Sequence, residues 1–239
     1  KINKMLKVGA SLFANRRKSK ANLTDKDGFT NLVYYSRRAN PYQTPYDENG
    51  NYVYDIDIQG KGDSDLMFNV FEERNNTSYE QTTNALSAIF DVELRFNDRF
   101  KATSQVGMQL DAVSKESIAD HDTYAMRKDK EFTTIASLGN KSFLPDGGKH
   151  TEAANTNSQI NWKTQAEYRD SYNDIHEFEM MAGTEIRKTW YNSLNSTGYG
   201  FDRKTLTTKP VIFPNESWAR SYPLHTKNYV ENAYASFFS

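Results

Sequence analysis

The chain has 239 residues, enough for one large domain or two small ones. Its 37% hydrophobic content is low for a compact globular domain, and a net charge of −1 gives no electrostatic basis for nucleic-acid binding. Cysteine is absent, which excludes disulfides, thiolate metal sites and cysteine nucleophiles, and no run approaches the ~18 apolar residues of a membrane-spanning helix.

The first residues, KINKMLKVGASLFANRRKSK, spread their charges and lack the apolar centre of a signal peptide; they alternate instead. Sorting by period two predicts strands along the whole chain. The first covers Ile2 to Asn15, with Ile2, Leu6, Val8, Ala10, Leu12 and Ala14 on one face. The second puts Leu86, Ala88, Phe90, Val92, Leu94 and Phe96 opposite Ser87, Asp91, Glu93, Arg95 and Asn97. After a turn at Asn97–Arg99, the third sets Phe100, Ala102, Val106, Met108, Leu110 and Ala112 against Lys101, Thr103, Gln105, Gln109 and Asp111.

The fourth, from Gln159 to Arg169, places Ile160, Trp162, Ala166 and Tyr168 on its apolar face. The fifth, Ile175 to Tyr191, does the same with Phe178, Met180, Ala182, Ile186 and Trp190. A sixth begins near Asn228, and the chain stops inside it, so both ends read as cuts within a longer protein.

Two quantities point to a membrane barrel. The strands are roughly twice the usual five or six residues and match the ~9–11 that a tilted strand needs to cross a bilayer. Short links (Asn97–Arg99 and Asp170–Asp174) alternate with long polar ones, about Arg16–Thr83, Ser114–Ser158 and Asn192–Lys227. In an up-and-down sheet that gathers every long loop at one end, as outer-membrane barrels do. Aromatics near strand ends (Phe96, Phe100, Tyr168, Phe178, Trp162, Trp190) read as interfacial girdles. A soluble β-sandwich binding module is the alternative, with shorter strands and less regular links expected of it.

The opposite face mixes both signs of charge: Asp91, Glu93, Arg95, Lys101, Asp111, Lys163, Glu167, Arg169, Glu185 and Arg187. Most of these are expected to pair across neighbouring strands. Loop aromatics with arginines are the candidates for contact with a substrate or a partner: Tyr34, Tyr35, Arg37, Arg38, Tyr42 and Tyr46 in the first loop, with Tyr52 and Tyr54 nearby. Trp190, Tyr191, Tyr199, Phe201 and Trp218 are assigned to the third.

His121, His150, His176 and His225 lack ligand spacing and read as solvated or interface histidines. Asp55, Asp57, Asp63 and Asp65 offer a weak Ca2+ candidate against a plain acidic loop. No catalytic motif is present, and neither an enzyme nor a cofactor is expected.

Three passages, RRANPYQTPYDENGNYVYD, FDVELRFNDRFKATSQVGMQLD and HEFEMMAGTEIRKTWYNSLNSTGYGF, resemble the SusC/RagA family of TonB-dependent outer-membrane transporters of Bacteroidetes. The resemblance implies that residues 1–239 are part of a single transmembrane β-barrel domain, all-β and antiparallel, with long extracellular loops. It also implies import of an oligosaccharide, less often a peptide, with a SusD-like surface lipoprotein and energy from the TonB complex. No plug domain and no TonB box are found in the chain. A passive or adhesive outer-membrane barrel is the second reading.

Overall fold

The computed structural model describes residues 5–23, 30–60, 64–173 and 176–239. Their strands are β1 (Leu6–Ala21), β2 (Thr77–Arg95), β3 (Phe100–Ala119), β4 (Thr134–Ile135), β5 (Lys141–Ser142), β6 (Gly148–Tyr172), β7 (His176–Asp202), β8 (Thr207–Lys209) and β9 (His225–Phe238). Four short helices lie between them: α1 (Leu32–Ser36), α2 (Val70–Asn76), α3 (Tyr124–Phe132) and α4 (Glu216–Ser221). The architecture is a partial β-barrel. One antiparallel sheet runs β1-β2-β3-β6-β7, with β8 and β9 both paired to β7, and a separate β4–β5 pair sits in a loop.

Register explains the sequence pattern. Leu6, Val8, Ala10, Leu12 and Ala14 lie opposite Leu94, Val92, Phe90, Ala88 and Leu86. The match continues through Phe90–Val106, Ala88–Met108 and Leu86–Leu110, then Val106–Trp162 and Met108–Ile160, then Trp162–Ile186 and Tyr168–Met180. With Ile186–Ala235 continuing it onto β9, one apolar face crosses six strands, with Leu12 75%, Phe90 53%, Met108 48% and Trp162 48% exposed. Leu6 to Ala14 is nine residues. At ~3.3 Å per residue and a tilt of about 40°, that band is roughly 23 Å tall. Polar atoms inside it satisfy each other: Trp162 Nε1 donates to Ser104 Oγ at 3.0 Å, and Ser104 bonds Thr164 at 3.0 Å.

The turn between β2 and β3 is held by one side chain. Asn97 Oδ1 accepts from the N–H of Arg99 at 2.9 Å and of Phe100 at 2.8 Å, closing the turn locally. The rings of Phe96 and Phe100 meet at 5.4 Å on either side of it. At the other end of the sheet the backbones of Gly147 (φ +137°) and Gly200 (φ +65°) approach so closely that a Cβ on Gly147 would stand 2.5 Å from the Gly200 carbonyl carbon.

The strands are longer than the alternation predicts. β1 continues past Asn15 to Ala21, β3 past Ala112 to Ala119 and β7 past Tyr191 to Asp202, while β2, β6 and β9 begin earlier, at Thr77, Gly148 and His225. The long connections are correspondingly shorter, at residues 22–76, 120–147 and 203–224. The reason is physical: the apolar alternation ends where the apolar band ends, but the hydrogen-bonded ladder continues in polar residues such as Arg16, Lys18, Lys20, Thr82 and Glu80. Ile2 and Ile175, assigned to strands from the pattern, lie outside the described residues.

Candidate functional site

Two surfaces carry chemistry: the polar face of the sheet and the body formed by the long loops. On the polar face, registered partners form ion pairs: Lys101–Glu167 at 2.7 Å, Arg169–Glu179 at 2.9 Å and Lys7–Glu93 at 3.7 Å. Arg95–Glu93 and Arg187–Glu185 pair along their own strands at 2.9 and 3.0 Å. Asp111 accepts from Gln109 at 2.8 Å, and the Lys163 ammonium lies 5.1 Å from the Phe238 ring centre. The face thus carries ion pairs both across neighbouring strands, as expected of charges opposed in register, and along single strands.

Nearer the long loops the same face is richer in amides and hydroxyls, with Gln81, Thr83, Asn155, Asn157, Gln159, Tyr191, Ser193 and Asn195, and carries Lys115, Arg17 and Asp111 opposite Gln81, Thr83 and Asn157. Among the described residues, three buried polar atoms on the polar face lack a partner: Asn161 Oδ1 and Arg187 Nε, on directly opposed residues, and Asn195 Oδ1. Water or a further polar group is expected to satisfy them, because a buried unpaired polar atom costs about 1–3 kcal/mol.

The loops fold on two apolar clusters. Ile58, Leu66, Phe68, Val70 and Tyr124 form the first, with Tyr35 and Phe71 against it. Ala119, Met126, Phe143, Leu144 and Tyr199 form the second, with Trp218 and Tyr222 packed on it. α3 joins them, since Tyr124 enters one cluster and Met126 the other. Its capping residue Thr123 accepts from the Met126 N–H, while Glu73 of α2 reaches across to accept from the N–H of Tyr124 at 2.7 Å and of Ala125 at 3.1 Å. Arg127 strengthens the joint by donating to the carbonyls of Leu66 and Met67 and to Glu72 Oε2 at 2.8 Å. Glu73 is 2% exposed, and burial pushes its carboxyl up to about 7 despite these amides.

These contacts sort the predicted binding residues. Tyr35 is structural: its hydroxyl donates to Asp55 at 2.7 Å and its ring meets Phe68 edge-on at 5.1 Å; burial holds its pKa well above the usual phenol value. Tyr199 is 5% exposed in the second cluster, and Trp218 packs on Phe143 at 5.2 Å. Trp190, Tyr191, Tyr199 and Phe201 are in β7 rather than in the third loop. Trp190 has apolar-face parity, opposite Ser158 and Glu231, with Lys188 5.9 Å from its ring.

Arg37, Arg38 and Tyr42 remain open to solvent, with Tyr42 93% exposed. Tyr34 is 37% exposed beneath the Arg38 guanidinium at 4.6 Å, and Tyr46 stacks near Tyr52 at 5.4 Å. Behind them lies a cleft of about 330 Å3 between α1, the Asn40–Pro45 segment and Phe71. The adjoining Asp47–Asn51 turn is rigid. The Asn51 side chain and the N–H groups of Asn49 and Asn51 bond the Asp47 carboxylate and lower its pKa, and Gly50 supplies φ +82°.

The acidic-loop residues are already engaged. Asp55 binds Tyr35 and the Asp57 N–H, and Asp65 accepts from the Met67 N–H at 2.7 Å, while Asp63 lies outside the described residues. The carboxylates that do gather with a histidine are Glu116 and Glu152, beside His150 on the sheet. Sequence spacing could not find them, because they sit on separate strands joined by a long loop.

No family model matches the chain, and no curated protein matches it. Its fold is similar to solved structures that include the RagAB peptide transporter (TM-score 0.65) and the RagAB peptide importer in its closed-closed (0.69) and open-open (0.68) states. Each is 18% identical, and the likeness covers 99% of this chain but 24% of the matched one. The chain therefore spans about a quarter of the length of the structures it resembles.

Glu73→Ala is expected to loosen α3 by about 2–4 kcal/mol, because two helix N–H groups lose their partner. Limited trypsin cleavage at Arg127 and Lys128 of the full-length protein reads this as faster nicking. The pH dependence has a definite sign. With its pKa raised from 4.5 to about 7, the Glu73 contribution is fully present below about 4.5 and is lost as pH rises through 7. Hydrogen-exchange protection of the α3 amides, corrected for intrinsic rates, should fall between pH 5 and 8 and stay flat in Glu73→Gln. Protection that rises instead would mean the ionised carboxylate is the favoured form.

Proposed function

We propose that this chain is a sector of the barrel wall of a SusC/RagA-type, TonB-dependent outer-membrane importer. The observation that carries the reading is the apolar band about 23 Å tall, held in register over six strands and backed by a face of paired charges. On this reading the band faces outer-membrane lipid, the charged face lines the lumen, and the long loops stand at the extracellular mouth. No bond is made or broken: the solute is carried through a gated passage, and energy reaches the barrel through segments beyond these residues.

The cargo is a hydrogen-bonding polymer. The uncharged amides and hydroxyls at the loop end of the polar face suit oligosaccharide hydroxyls, the cargo implied by the family resemblance. A peptide is the second reading, favoured by the likeness to peptide importers, since backbone amides would satisfy the orphaned Asn161, Arg187 and Asn195 atoms equally well. Exposed Arg37, Arg38 and Tyr42, with Tyr34 and Tyr46, suit a SusD-like lipoprotein at the mouth, because Tyr and Arg dominate interface hot spots.

Uptake of labelled oligosaccharides and peptides by cells carrying or lacking the full-length gene separates the two cargoes. Loss of uptake on deletion of TonB is expected. Uptake that persists without TonB would instead establish a passive barrel. Arg38→Ala with Tyr42→Ala should weaken co-purification of the lipoprotein roughly thirtyfold, the loss of about 2 kcal/mol typical of a hot spot, while leaving barrel assembly intact.

The assignment of faces makes a separate prediction. Val92→Arg or Met108→Arg in the full-length protein should cost ~2–4 kcal/mol of membrane stability and show as lost heat-modifiable folding. Gln105→Arg, placed between Asp91 and Lys163 on the polar face, should assemble close to normally. Equal behaviour of the three variants would refute the membrane reading.

A further inference from the structure

Above the apolar band, one register row crosses the sheet as Lys20, Glu80, Glu116, Glu152, Ser196 and His225. Three carboxylates therefore stand directly opposite one another on β2, β3 and β6, an arrangement that like-charge repulsion penalises. Glu80 is neutralised by Lys18 at 2.8 Å and by Lys20. Among the described residues, no lysine or arginine forms an ion pair with Glu116 or Glu152. Their shared neighbour is His150, one step further along β6, whose Nε2 lies 3.0 Å from Glu116 Oε1 and 3.9 Å from Glu152 Oε1.

The three donor groups all lie within 4.8 Å of one another. The His150 ring is held in place by stacking on Phe201 at 4.9 Å, and Phe201 is itself 5% exposed. The imidazole is thus fixed with Nε2 toward the carboxylates, whereas the glutamates are half-exposed and free to adjust. One fixed nitrogen and two mobile oxygens, carried on adjacent hydrogen-bonded strands, make a metal-ligating set of mixed donors rather than an acidic patch.

We propose that Glu116, His150 and Glu152 bind a divalent transition-metal ion, with Zn2+ the best match to one imidazole nitrogen and two carboxylate oxygens. Contraction of the donors onto bonds of ~2.0–2.2 Å needs only side-chain movement of the two glutamates. The ion replaces the repulsion between opposed carboxylates with attraction to both. Three protein ligands leave a position open for water or an external anion. The site lies on the apolar-face side of the sheet, beyond the band, so it stands apart from the polar face and from the cargo.

The test is titration of ZnCl2, by isothermal calorimetry, into detergent-solubilised full-length protein without a polyhistidine tag. Wild type should show a saturable site that is weakened at least about tenfold by His150→Ala and by Glu116→Gln with Glu152→Gln, as loss of ligands demands. His121→Ala, at a histidine paired only with Asp122, should leave it unchanged. Heat-modifiable mobility confirms that each variant has folded, and Co2+ absorption in the visible provides a second readout. Absence of saturable Zn2+ binding in wild type, or equal binding in His150→Ala, would overturn the proposal. Neither result touches the importer reading, which is decided by uptake.

Discussion

Everything in this sheet depends on parity. In an antiparallel ladder successive side chains point to opposite faces, so a slip of one residue would move every leucine and phenylalanine of a strand to the charged side. The pairs Leu6–Leu94, Phe90–Val106, Val106–Trp162 and Trp162–Ile186 carry one apolar parity across the sheet. The pairs Lys101–Glu167 and Arg169–Glu179 carry the complementary one. A slip would break both sets together. The Asn97 turn fixes the count locally between β2 and β3, and it does so without a glycine, through two side-chain bonds to backbone N–H groups.

Parity is also what makes the central part of the sheet legible in the sequence. The stretch from Leu86 to Ala112 declares two strands, their faces and their turn by alternation alone, because a long one-sided apolar band leaves a period-two trace. Past the band that trace vanishes. The residues from Arg16 to Ala21, Thr77 to Thr83 and Asn192 to Asp202 are strands by backbone pairing while reading as polar loop. Hydrogen bonding between strands needs no apolar side chain, so composition is silent on where pairing stops. That is why Tyr199 and Phe201 are strand residues despite their loop-like surroundings.

The candidate binding residues divide along the same line. Aromatic richness was legible, but its purpose was not, since a tyrosine that builds a loop core and one that awaits a partner look alike in sequence. Tyr35, Tyr199 and Trp218 are consumed by packing, whereas Arg37, Arg38 and Tyr42 are left outside. Glu73 and α3 were not legible at all. Their partnership joins residues 51 apart, and nothing in the polar run around Glu73 marks it as a buried cap. The Glu116–His150–Glu152 cluster is hidden for the same reason, assembled by register across an intervening loop.

The fold tolerates so much sequence change because its rules concern type and phase, not identity. At 18% identity the chain keeps a TM-score of up to 0.69 to the importer structures. An apolar band needs any large apolar residue at alternate positions, and a paired face needs opposite charges in register. Phase alone does not set every position, since the polar face mixes paired charges with amides and hydroxyls that are richest toward the loop end. Paired charges are self-contained and demand little from outside. The Asn161 Oδ1, Arg187 Nε and Asn195 Oδ1 atoms, without a partner among the described residues, are left for water or another polar segment to satisfy.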